Sequence, residues 1–219
     1  MKTLLFLLAL VVPLFGRIND NGDTGLWLEE SFQHEFIEFN FQQRWTDNFN
    51  LFYYQRYEGI VSYRPVPPWE FGLGYAFNIS LLEEKWVTGQ DYFAQATLKL
   101  PLWDGNLEQR ARITYIVPNF KEHKRHATER YRVRYFSPWF LTRCCVNPWI
   151  SNEFFFRKDT RNEPRGQVGG LFENRFRVGF RANFLKKVSY DLYFQWLGLK
   201  RRDRWDFVYD LGLTTFVNF

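Results

Sequence analysis

From Trp205 to the chain end, every second residue is apolar or aromatic: Trp205, Phe207, Tyr209, Leu211, Leu213, Val217 and Phe219, interrupted only by Thr215. The residues between them include Asp206, Asp210, Gly212, Thr214 and Asn218. In an extended strand a period of two puts the first set on one face and the second on the other, and no amphipathic helix gives this alternation. The segment from Trp69 repeats it, with Trp69, Phe71, Leu73, Tyr75, Phe77 and Ile79 facing one way and Glu70, Gly72, Gly74, Ala76, Asn78 and Ser80 the other.

The same parity count predicts ten strands, over residues 37–45, 51–63, 69–79, 92–100, 107–117, 131–135, 150–156, 172–180, 188–196 and 205–219. Most are long enough for the tilted run of about 9–11 residues that crosses hydrocarbon. Phe172 is assigned to the apolar face with Phe176, Val178 and Phe180. Leu26, Leu28 and Phe32 carry apolar residues on even positions before the pattern turns odd at Ile37. Residues 17–35 are therefore either a lead-in or an additional strand, and ten strands are expected with twelve as the alternative.

Turn signals separate these segments at Tyr63–Trp69, Asp104–Asn106 and Leu185–Lys187, and longer charged connections are expected over 82–90, 119–126 and 158–166. Short and long connections thus alternate, as in outer-membrane barrels with an even strand number. Residues 1–16 read as a cleaved export signal, because Lys2 precedes an apolar run to Val12 that is broken by Pro13 and followed by Gly16. No later run approaches the ~20 apolar residues of a membrane helix.

Composition supports a barrel with lipid outside. Aromatic residues make up 21% of the chain and charged residues 24%, a combination that suits an apolar exterior around a polar interior. The expected location is the bacterial outer membrane, residues 36–219 forming the barrel. The net charge of +5 is too mild to imply nucleic acid. Trp45, Tyr63, Trp69, Trp139, Trp196 and Trp205 fall toward strand ends, where aromatic rings anchor at a membrane interface.

If the apolar parity faces lipid, the other parity fills the interior. It carries Arg44, Arg56, Lys99, Arg110, Arg112, Arg130, Arg132, Arg134, Arg157, Arg175, Arg177 and Arg181, with Glu38, Glu58, Glu70, Glu108, Glu153, Glu173, Asp191, Asp206 and Asp210. Guanidinium forks pair bidentately with carboxylates, so one reading is an ion-pair network that fixes register and fills the lumen. The clustering of Arg110 and Arg112 with Arg130, Arg132 and Arg134, and of Arg175, Arg177 and Arg181, supports another: a narrow path or binding site for small anions. The discriminating residues are Arg112, Arg132 and Arg177, since pairing each with a carboxylate would leave no free positive wall.

Chemistry beyond charge is sparse. Of three histidines, His123 and His126 are placed in a basic loop, and His34 lies near Ser31 and Glu35, the only hint of a lipid-modifying hydrolase. Cys144 and Cys145 are adjacent, without further ligands at metal-binding spacing. No cofactor or metal is expected. A third reading, a soluble lipocalin-like barrel, would turn the apolar parity inward.

Arg130-Tyr-Arg-Val-Arg-Tyr-Phe-Ser-Pro138, Asn152-Glu-Phe-Phe-Phe156, Leu107-Glu-Gln-Arg-Ala-Arg112 and the terminal Phe219 together resemble an uncharacterised family of small bacterial outer-membrane barrels, a domain of unknown function. The resemblance implies fold and location and no activity. Phe219, with Val217 and Leu213 in matching parity, also resembles the C-terminal signal read by the outer-membrane assembly machinery. The expected partners are that machinery, outer-membrane lipid and small anions.

Overall fold

A computed structural model describes residues 24–46, 51–82, 84–119, 125–139, 146–157, 170–185, 187–201 and 204–219. The proposed export signal, His123, Cys144 and Cys145 lie outside them. The described chain is all strand: β1 (Thr24–His34), β2 (Ile37–Thr46), β3 (Leu51–Tyr63), β4 (Trp69–Leu82), β5 (Lys85–Leu102), β6 (Gly105–Pro118), β7 (His126–Phe136), β8 (Val146–Arg157), β9 (Gly170–Leu185), β10 (Val188–Arg201) and β11 (Arg204–Asn218). Each strand pairs with its sequence neighbour, and β1 closes the sheet into a barrel against β11.

The barrel is inside-out relative to a water-soluble domain. Leu73 is 69% exposed and Ile113 61%, whereas Arg112 and Glu153 inside are 4% and 2% exposed, the reverse of the usual partition of apolar and charged side chains. The apolar parity lies outside, which removes the lipocalin-like arrangement.

All ten expected strands are present, as β2 to β11, and β1 makes eleven. The count is odd because β1 is antiparallel to β2 but parallel to β11, with Thr24 opposite Tyr209 and Gln33 opposite Asn218. The parity change that set residues 25–32 apart follows from register. The two-residue turn Glu35–Phe36 pairs Leu26 with Trp45 and Phe32 with Phe39, so an even position must share the outer face with an odd one. Glu35 supports that turn with φ of 43°, a left-handed conformation common in tight reversals.

Three local expectations are corrected. The long connection expected over 82–90 is largely strand, since β5 begins at Lys85. The β4–β5 ladder runs on through Ser80–Val87, Leu81–Trp86 and Leu82–Lys85, and Trp86 meets Phe52 with ring centroids 5.7 Å apart. Phe172 lines the interior rather than the apolar exterior, because a bulge in the β8–β9 pairing moves the partner of Phe155 to Glu173 and that of Phe156 to Leu171. Such a bulge inserts one residue and changes the face on which side chains fall. His126 opens β7 and lines the same interior instead of sitting in a loop.

Close approach of backbone makes room for rings inside. Tyr193 is flanked by Gly179 on β9 and Gly212 on β11. A Cβ at Gly212 would lie 2.1 Å from the Tyr193 ring, and one at Gly179 would lie 2.6 Å from Tyr193 Cβ. Only glycine leaves space for a lumenal ring at such a crossing.

Candidate functional site: the arginine-rich lumen

The interior encloses a cavity of about 650 Å³. It is lined by Arg44, Arg56, Glu58, Glu70, Arg110, Arg112, Arg130, Arg132, Arg134, Glu153, Arg157, Glu173, Arg175, Arg177 and Arg181, all on the parity opposite the apolar face. Asp210 sits in the adjoining wall, accepting a hydrogen bond from Gln195 Nε2 at 2.7 Å. The backbone of Asp206, in β11, pairs with Leu199 of β10, and its side chain lies outside the described ones.

The β6–β7 ladder sets the central electrostatic problem. Arg110 stands directly opposite Arg132, and Arg112 opposite Arg130, and like charges facing each other across a sheet are destabilising. Carboxylates on β3, on β8 and on β6 itself resolve it. Glu58 on β3 accepts Arg112 Nη1 at 2.9 Å and Nη2 at 3.1 Å, and also Arg56 Nε at 3.0 Å and Nη2 at 2.7 Å. Glu153 Oε1 on β8 accepts Arg110 Nη2 at 3.2 Å and Arg130 Nη2 at 2.8 Å, while Arg132 pairs with Glu108.

Around this centre, Asp191 on β10 takes Arg134 Nη2 at 3.0 Å from β7 and Arg181 Nε at 2.6 Å from β9. Arg56 also pairs with Asp91, and Arg175 with Glu173. Glu70 accepts both Arg64 at 2.7 Å and Lys99 at 3.1 Å. The Glu58–Arg112 and Asp191–Arg134 contacts each reach past two intervening strands, so they brace the barrel from within. Guanidinium faces are covered by rings: Arg112 lies 4.0 Å from the Phe93 centroid and Arg134 4.0 Å from that of Trp149. Stacking on the ring face leaves the in-plane N–H groups free for carboxylates.

The three discriminating arginines divide. Arg112 and Arg132 are paired; among the described residues Arg177 has no carboxylate within ion-pair distance and instead donates its Nε to Gln195 at 2.6 Å. Arg44 and Arg157 likewise have no carboxylate partner among the described residues. Arg44 stacks on Trp27 at 3.7 Å and Tyr54 at 4.4 Å, and Arg157 on Phe172 at 4.2 Å.

Ser31 and His34 are not brought together. Ser31 is buried on the lumenal face, its hydroxyl 3.4 Å from Glu38, while His34 is exposed at the strand end on the opposite parity. Among the described residues no group of three His, Cys, Asp or Glu side chains could hold a metal. Phe219 stacks on Phe32 with ring centroids 6.3 Å apart and donates its N–H to the Gln33 carbonyl at 3.0 Å, joining the chain end to β1.

Parity reading passed over the buried Trp27, Trp149, Tyr193 and Gln195, because it sought charge on the lumenal face. For Tyr193 the available signal was a ring on the polar parity with glycine on both neighbouring strands.

A family profile described as a protein of unknown function, DUF2490, matches residues 24–208, from the first residue of β1 into β11. The chain belongs to the DUF2490 family. The DUF2490 match covers most of the sequence and carries no activity with it. No curated protein and no solved structure matches the chain.

Proposed function

We propose that this DUF2490 protein is an integral barrel of the bacterial outer membrane, held open by its internal ion pairs and passing small anions at most. The observation that carries the reading is the exposed apolar belt, with Phe39, Val61, Leu73, Ile113 and Phe207 all more than half exposed around a charged interior. Such a surface in water would be a large apolar patch inviting association; in hydrocarbon it is the favoured exterior. Outer-membrane lipid is then its immediate partner, and such a barrel would be delivered by the outer-membrane assembly machinery. An interior crossed by paired side chains leaves little free bore, and the arginines without carboxylate partners among the described residues give the remaining path an anion preference.

The location is tested with single cysteines labelled with a fluorophore in reconstituted bilayers. Labels at Leu73 and Ile113 should be quenched by lipid-borne quenchers and a label at Thr114 should not. Ready reaction of Leu73→Cys with a water-soluble, membrane-impermeant thiol reagent would refute a lipid-facing exterior. Planar-bilayer recording tests the passage: small anion-selective currents support it, and cation selectivity overturns it.

A further inference from the structure

We infer that Arg44 and Arg177, gathered around Trp27, form a binding site for a small oxyanion, a phosphate or carboxylate group, inside the lumen. The inference rests on interior geometry and stands whether or not the barrel conducts. Arg44 on β2 and Arg177 on β9 come from opposite sides of the β1–β11 seam, and their guanidinium carbons lie 3.7 and 4.9 Å from the same indole centroid. Arg175 reaches that ring too, at 4.9 Å, but Glu173 neutralises it.

Arg44 Nη2 donates to Gln42 at 3.0 Å, while its Nε is buried without a hydrogen-bond partner among the described residues. Among the described residues Arg177 spends only its Nε, on Gln195. Gln195, fully buried, passes that bond on to Asp210. Asp210 therefore supplies negative charge at one remove, within electrostatic reach of Arg44, Arg175 and Arg177 but bridging none of them. Among the described residues neither Arg177, which is buried, nor Arg44, which is half-buried, is bridged by a carboxylate, although Glu153 also lies within electrostatic reach of Arg177; their remaining in-plane donors have the fork geometry that oxyanions accept bidentately. A buried donor left unmade is costly, so an oxyanion that satisfies Arg44 and Arg177 together gains more than it would from either in water.

The test is calorimetric titration of inorganic phosphate into the full chain folded in detergent micelles. The expected result is one saturable site in the millimolar range or tighter. Arg44→Gln and Arg177→Gln should each weaken it about tenfold or more, while Arg64→Gln, whose partner Glu70 lies elsewhere, should leave it unchanged. Arg44→Lys, which keeps charge without the fork, should fall between. A short-chain phosphatidic acid that competes with phosphate identifies a headgroup phosphate as the preferred source, and binding of inorganic phosphate without such competition identifies the free ion. If the glutamine variants do not fold, arginine Nε NMR signals of the unaltered chain decide, those of Arg44 and Arg177 shifting with phosphate and that of Arg64 staying in place. Absence of saturable binding, binding indifferent to both substitutions, or shifts absent at both arginines overturns the site.

Discussion

Replacing Glu58 with glutamine is the sharpest test of the internal bracing. The substitution preserves size but turns one acceptor oxygen into an NH2 donor and removes the charge that holds Arg112 through two bonds and Arg56 through two more. Arg56 keeps Asp91; Arg112, with 3% of its side chain exposed, keeps only Gln95 and the Phe93 ring. Removing one partner of a buried pair while the other stays costs about 3–5 kcal/mol, and Glu58→Gln is expected to destabilise the barrel by that amount. Adding Arg112→Gln should recover part of the loss, since it relieves the stranded charge, so the pair should be non-additive by about 0.5–3 kcal/mol. Urea unfolding in bilayers, followed by heat-modifiable gel migration and tryptophan fluorescence, measures both. A single variant within about 1 kcal/mol of the parent, well under the range for a broken buried pair, would refute the reasoning, as would a double variant costing the sum of the singles.

Other consequences follow from the same interior. Gly212→Ala forces the Tyr193 ring to move and should cost about 1–3 kcal/mol in the same unfolding assay. Arg132→Glu sets a carboxylate beside Glu108 and should prevent the heat-modifiable folded form from appearing. Arg157→Glu, at a site without a carboxylate partner among the described residues, should fold and shift the bilayer reversal potential toward cations. Deleting Phe219 removes its ring from Phe32 and its N–H from Gln33, and should slow appearance of the folded band in a kinetic refolding gel.

Much of this architecture was legible because strands with one apolar face write their parity into the sequence: one apolar residue in two is a signal that tertiary context cannot scramble without turning the strand over. The strand at 24–34 was harder to read because its parity is set by a register with Trp45 and Phe39 that no local pattern contains. The extra length of β5 was hidden by Glu84 and Lys85, charges that resemble a loop although Lys85 already pairs with Leu82. Phe172 was misplaced because a bulge depends on the partner strand. The charged lining could be collected from parity alone, but which arginines are neutralised depends on contacts such as Glu58 with Arg112, fifty-four residues apart, and sequence spacing says nothing of these.

The parallel seam has a consequence for assembly. Every other neighbour in the barrel is also a neighbour in sequence and can zip from its own hairpin, whereas the pairing of Thr24 with Tyr209 needs nearly the whole chain in place. Until that last zipper meets, β1 and β11 present two unsatisfied ribbons ready to recruit any passing strand, and contacts so distant along the chain form slowly. Sealing is therefore the step at which this protein is most exposed to mispairing, and the step at which an escort holding one ribbon would matter most.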